Sequence, residues 1–420
     1  MRHNQTPPSV FRFRFYLKLC FAGILAAWLA PLAAAQGTAS QGKEVNVRLG
    51  IDNFETMSAG PLRNKRVGLI TNQTGVDSRG RRTIDILIKK EGIKLVAIFS
   101  PEHGIEGRAD AAVGNSTDQE TRLPIYSLYG ENRRPTDAQL KGINVLMFDV
   151  QDAGTRFYTY ITTMAYCMEE AAKHGITFVV LDRPNPLGGD VIEGPMLDRE
   201  RTSFVGYFPM PVRYGMTMGE LAQMFNGENH IGADLHIIKL ANWKRSMTYE
   251  QTGLKWIPPS PNLRTLNAVF LYPGVELLQA GGVSVGRGTD APFEVIGAPW
   301  IQGAELAAEM NRRAVPGVKF QMTTFTPDDG VYKGEHCQGL AMTVVDQAGL
   351  DPVRLGLEFA EALSRLYPKQ FQVEKINELL GSQATMERLK REEAPARIVE
   401  SWQEDIGHFR RFRQRYLLYF

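Results

Sequence analysis

Four short, largely apolar runs set the narrowest limit on how this chain can fold. They lie at 66–72 (RVGLITN), 94–99 (KLVAIF), 145–150 (VLMFDV) and 177–181 (TFVVL). None alternates apolar with polar residues, so each reads as a strand buried on both faces, the pattern of parallel sheets covered by helices. Parallel neighbours need a crossover connection, usually helical. The segments between the runs fit: 83–90 has helical spacing, and in 158–174 Ile161, Met164, Ala165 and Met168 fall on one helical face. The pattern predicts an α/β fold, an open Rossmann-like parallel sheet, over residues 46–245. Thr217 and Glu220 form a capping box for a helix through Phe225. Beyond Trp256 the punctuation changes, with PPSP at 258–261 and a glycine-rich stretch at 281–288. A smaller α+β domain is expected over 246–420, with Asp351-Pro352 opening a helix to Tyr367. A chain of 420 residues exceeds the roughly 250–300 residues at which single cores stop growing.

The first 35 residues read as an export signal. Arg2, Arg12, Arg14 and Lys18 precede the apolar run 19–30, and Ala33-Ala34-Ala35 offers a cleavage site after Ala35. The expectation is a secreted protein, periplasmic or extracellular, with no stable membrane anchor once the signal is removed and a polar linker at 36–44. Forty-eight basic against 46 acidic side chains are too balanced for a nucleic-acid binder. Cys167 and Cys337 alone make no disulfide framework, and two separately buried thiols are expected. The last helix carries Trp402, Ile406, Phe409, Phe412 and Tyr416 with Arg410, Arg411, Arg413 and Arg415, which reads as core packing with a solvated basic face.

In open α/β sheets ligands bind beyond the carboxyl ends of the strands. The polar residues of this chain collect there. The first strand runs into Asn72, and the second into Ser100-Pro101-Glu102-His103-Gly104. The third leads to Asp149, Gln151, Asp152, Arg156 and Tyr158, and the fourth to Asp182, Arg183 and Asn185, with Glu193 close behind. Asp149 and Asp182 also fit loop caps or partners of Arg156 and Arg183. Glu102 follows an apolar strand and sits in a short rigid corner. A carboxyl with apolar neighbours resists ionisation and stays available as a proton donor. His103 is expected to orient it.

Other chemistries find less support. NQTGVDSRG (72–80) follows the first strand instead of a G-x-G-x-x-G loop, so no dinucleotide cofactor is expected. Gly282-Val283-Ser284-Val285-Gly286 matches G-x-S-x-G, but loop residues follow where a nucleophile elbow needs a helix. His103, Asp152 and Asp182 lack diagnostic metal spacing, and no metal is expected.

The strand-end peptides SPEHG (100–104), FDVQDAGTRFYTY (148–160) and LDRPNPLGG (181–189) resemble a bacterial family long catalogued as a domain of unknown function, whose characterised members are exo-acting β-N-acetylmuramidases. Glu193-Gly194-Pro195, 211–220, Ser260-Pro261-Asn262, 286–300 and the closing RYLLY (415–419) extend the resemblance over nearly the whole mature chain. It implies a Rossmann-like domain carrying the active site, a smaller domain closing the cleft, and release of N-acetylmuramic acid from the non-reducing end of peptidoglycan-derived glycans or muropeptides. The family's motif glutamate falls on Glu102, and its acidic motif residues on Asp149, Asp152, Asp182 and Glu193. Tyr214 and Gln279 depart from the pattern, which has histidine and an acid there. Glycoside cleavage needs one protonated carboxyl and a second carboxylate. Glu102 is the expected acid, and Asp152, Asp182 and Glu193 compete for the second role. Arg156, Arg183 and Arg287 are candidates to grip the lactyl carboxylate, Tyr158 to stack on sugar, and Glu294 to bind substrate. Two alternatives stay open: a periplasmic binding protein using the same cleft, and a serine esterase or amidase acting through Ser284.

Overall fold

The computed structural model describes residues 47–58, 60–109 and 113–420; the stretches read as an export signal and a linker lie outside them. The strands, in chain order, are β1 Lys65–Thr71, β2 Ile93–Ser100, β3 Ser116–Thr117, β4 Pro124–Ser127, β5 Val145–Asp149, β6 Thr177–Leu181, β7 Glu193–Met196, β8 Pro211–Arg213 and β9 Leu235–Ile238. Seven form one sheet in the order β3-β4-β2-β1-β5-β6-β9. All its pairings are parallel except β3 with β4. The four strands read from sequence are its centre, fully buried toward their carboxyl ends. The outer strands β4 (PIYS) and β9 (LHII) are only partly covered and so never needed a continuous apolar run. β2 lies on one side of β1 and β5 on the other, so the chain changes direction across the sheet at β1.

Helices Thr83–Lys89 and Tyr160–Lys173 fill the predicted crossovers. The capping box forms at the helix Met218–Glu228: Thr217 accepts from the Glu220 N–H and Glu220 returns to the Thr217 N–H. β7 and β8 make a separate antiparallel pair.

The second half holds an antiparallel sheet of β10 (Val295–Ala298), β11 (Val318–Phe325) and β12 (Cys337–Val344) in the order β10-β12-β11. Two long helices, Leu266–Ala280 and Pro352–Leu366, pack beside it, the latter capped by Asp351 as expected. They touch backbone to backbone: a Cβ on Gly274 would lie 1.8 Å from the Pro352 carbonyl oxygen, and one on Gly356 would lie 2.6 Å from that of Gly274. This contact fixes the helix that carries Glu276.

The chain end returns to the first sheet. Tyr419 is buried against Trp243 and shares a core with β1, β5 and β6. Cys167 and Cys337 are free and separately buried. In the last helix Trp402, Ile406 and Phe409 face inward and Arg410 and Arg411 outward, as expected. Arg413 departs from the solvated face: it is buried and donates to the Tyr214, Gly215 and Asp190 carbonyls.

Gly274→Ala should lower stability by about 1–3 kcal/mol, the scale of overpacking a close contact, because both neighbours are backbone that cannot rotate away. Urea-unfolding midpoints of the two proteins check this.

Candidate active site

Glu102 stands where β2 leaves the sheet. His103 and Gly104 both take left-handed backbone, with φ of 72° and 74°, and the Gly104 N–H donates to the Pro101 carbonyl at 3.1 Å. Glycine adopts this geometry freely and histidine at a cost. His103 Nδ1 donates to the Ala109 carbonyl at 2.7 Å, which pins the ring and places a proton on that nitrogen. On the other side Thr159 Oγ1 donates to Glu102 Oε2 at 2.6 Å. The Tyr160 hydroxyl accepts from Asn72 Nδ2 and donates to the Pro259 carbonyl at 2.6 Å, with the Glu102 carbonyl 3.2 Å away.

The Glu102 carboxylate, half-buried, opens into a hollow of about 340 Å³. From the first half come Glu102, His103, Phe157, Tyr158, Thr159 and Val205. The second half adds Ser260, Tyr272, Glu276, Gln279, Arg287, Phe293 and Asp329, with Gly330 and Leu379. Glu276 Oε1 accepts from Arg287 Nη2 at 2.9 Å, and the Arg287 guanidinium lies 5.0 Å from the centre of the Phe293 ring. Tyr272 meets Phe157, Tyr158 and Phe293 ring to ring. The hollow thus combines three carboxylates, a guanidinium and an aromatic wall, a surface that suits a sugar's polar rim and apolar faces.

Of the sequence-predicted site residues, Glu102, His103, Tyr158 and Arg287 line this hollow. Several others serve the scaffold instead. Arg156 is fully buried, and its two terminal nitrogens donate to four carbonyls, those of Pro195, Met210, Leu379 and Leu380; it is not available to a ligand carboxylate. Asp149 accepts from Thr83 and, at 2.6 Å, from Arg183 Nε. Asp182 takes four donors, the Thr217 and Tyr419 hydroxyls and the Arg183 and Gly219 N–H groups, so its oxygens are committed to joining the chain end to the sheet. Asn72 brackets Thr74 and Tyr160, and Asn185 bridges the Met216 carbonyl and Leu187 N–H. Glu294 accepts from Thr265 at the start of the helix Leu266–Ala280.

Glu193 pairs with Arg213 at 2.9 Å, and burial pushes its carboxyl up to about 7 against that partner. Asp152 is buried, accepts from the Tyr214 hydroxyl and the Gly154 N–H, and has Oδ1 without a partner. Its charge reaches Tyr158 and Tyr272, whose hydroxyls burial already raises, but it does not line the hollow. Gln151 and Arg183 line a different cavity, at the ends of β1 and β5. Ser284 is buried, bridges to Gly297 and is followed by turns instead of a helix, so no nucleophile elbow forms.

Thr159, Glu276 and Asp329 escaped the sequence reading. Glu276 left one signal, as the only charged residue in the helix LNAVFLYPGVELLQA.

Comparison with known proteins gives a consistent result. A family model described as exo-beta-N-acetylmuramidase NamZ, N-terminal, matches residues 67–267, and its C-terminal counterpart matches 270–419. The peptidoglycan beta-N-acetylmuramidase NamZ of Bacillus subtilis (strain 168) is 42% identical over 412 residues, spanning 97% of this chain and 99% of that protein. Crystal structures of two DUF1343 family proteins from Bacteroides fragilis NCTC 9343 superpose with TM-scores of 0.81 and 0.73. Their identities are 39% and 31%, over 90% and 89% of this chain and 100% and 99% of theirs.

Burial lifts the Asp152 carboxyl from 3.8 to about 6. Over that window the folded chain holds a proton that the unfolded chain has released. The group's contribution to stability is therefore greatest below about pH 4 and falls by roughly 2–3 kcal/mol as pH rises to about 6. Asp152→Asn removes this ionisation, so the variant should gain that much relative to wild type between pH 4 and pH 7. Urea unfolding of both proteins at the two pH values measures it; a gap that stays constant contradicts the assignment.

Proposed function

The chain belongs to the NamZ family of exo-β-N-acetylmuramidases, and from that premise we propose that it cleaves its substrate in the hollow between Glu102 and the second half of the chain. It is a glycosidase that releases N-acetylmuramic acid from the non-reducing end of peptidoglycan fragments. One observation carries the placement: Glu102, the acid held by the rigid corner after β2, shares its hollow with Glu276 and Arg287 of the other half. Asp152, Asp182 and Glu193 do not line it.

Glu102 donates a proton to the leaving glycosidic oxygen. Thr159 fixes Oε2, so the other oxygen faces the bond. Glu276 supplies the second carboxylate that an oxocarbenium-like transition state requires, and Arg287, 2.9 Å from it, holds one of its oxygens. Arg287 also presents a planar cation to the lactyl carboxylate that distinguishes muramic acid from other amino sugars. Tyr158, Tyr272 and Phe293 wall the ring. We further read the chain as exported, with cell-wall recycling as its role; the basic start and the Ala33-Ala34-Ala35 site support export.

Glu102→Gln should lower release of N-acetylmuramic acid from a chromogenic glycoside by at least ~100-fold while leaving the unfolding midpoint within error. A variant with near-normal turnover removes Glu102 from the reaction. Export predicts a mature chain that starts at Gln36, which intact mass of the secreted protein reads directly; a product retaining the first 35 residues contradicts it.

A further inference from the structure

We propose that the chain holds a second ligand site, apart from the Glu102 hollow, that binds a small carboxylate. The site is a cavity of about 250 Å³ at the carboxyl ends of β1 and β5. That is where the sheet changes direction, the crevice in which open α/β sheets hold ligands. It shares no lining residue with the Glu102 hollow. The segment 255–260 passes both: Lys255 and Ile257 line the cavity, Ser260 lines the hollow, and the Pro258 and Pro259 carbonyls between them accept from Gln73 and Tyr160.

Two buried side chains form the polar end of the cavity. Gln151, 3% exposed, donates from Nε2 to the Asp152 and Pro184 carbonyls, which fixes its amide and leaves Oε1 without a partner. That oxygen has essentially no accessible surface, so Gln151 braces the cavity wall and does not meet a ligand. Arg183, 5% exposed, spends Nε on Asp149 and Nη2 on the Val76 carbonyl. Lys255 and Arg79 add exposed cations at the rim. The acid that lines this cavity, Asp77, is already taken by Arg81 Nε and by the Arg79 and Arg81 N–H groups. The balance of charge left for a ligand is therefore positive, which selects an anion. Leu49 and Ile257 add apolar lining. A sugar acid and the carboxyl end of an acylated peptide both have this chemistry.

The test is a methyl-NMR titration of the Glu102→Gln protein with N-acetylmuramic acid and, separately, N-acetyl-D-alanine. Val76, Leu254 and Ile257 report on this cavity and Val205 on the hollow. The first three methyl sets should shift saturably with at least one of the acids, and which acid does so identifies the source. N-acetyl-D-alanine methyl ester, which lacks the carboxylate, should leave them unmoved. Lys255→Glu should weaken binding there by roughly tenfold, the scale of about 1.4 kcal/mol. The proposal fails if neither acid moves these methyls at about 10 mM, enough to fill a millimolar site. It also fails if the ester shifts them equally or Lys255→Glu leaves the affinity unchanged. Separate reporters keep this outcome independent of the role given to Glu102.

Discussion

The site depends on a cation that never touches it. The Arg156 guanidinium is caged by four carbonyls, from β7, from the segment leading into β8, and from Leu379 and Leu380 in the second half. The four carbonyls offset part of the cost of burying the charge, and the Met210 carbonyl also accepts from the Leu197 N–H. The cage locks the loop after β5 in one conformation across both halves of the chain. Phe157, Tyr158 and Thr159 follow directly, so the ring that walls the hollow and the hydroxyl that holds Glu102 inherit their positions from it. Lysine, with a point charge, lacks the planar fork needed to serve the same four acceptors.

A second tie works from the far end of the chain. Tyr419 reaches Asp182 at the end of β6, and its oxygen also accepts from the Leu240 N–H after β9. Asp182 in turn holds the start of the helix Met218–Glu228 through Thr217 and the Gly219 N–H. The sheet edge is thus tied by a residue 179 positions beyond Leu240.

The central sheet was legible in sequence because strands buried on both faces must be apolar throughout, and that requirement leaves a contiguous mark. β4 and β9 are half-covered and left none. At the strand ends the reading found where the hollow opens but could not sort its residues. A polar side chain there has the same sequence signature whether it bonds inward, as Asp149, Asp182 and Asn185 do, or faces a cavity, as Glu102 does. Which occurs depends on partners far away in sequence: Tyr419 for Asp182, Leu379 and Leu380 for Arg156. The hollow's other wall was hidden for the same reason, since Glu276 comes from a helix whose face is set by the Gly274–Gly356 contact. Glu102 was legible because its corner is local, built from Pro101, His103 and Gly104.

The three acids that burial raises to about 6 or 7 are therefore not the ones best placed to act on a sugar. Burial raises Asp152 and Asp182 to about 6 and Glu193 to about 7. Such shifts mark functional sites only as a tendency, because structural networks produce them too. A general acid must bring its proton within hydrogen-bond reach of the leaving oxygen. Asp182 has every oxygen committed, Glu193 is tied to Arg213, and Asp152 sits behind Tyr214 with no surface in the hollow. Glu102 fits the role proposed for it: it is anchored at one oxygen, open at the other, and shares a sugar-sized space with Glu276. For a glycosidase built on this sheet, access to the bond decides which carboxyl does the chemistry, and depth in the core decides which ones hold the loops that give access.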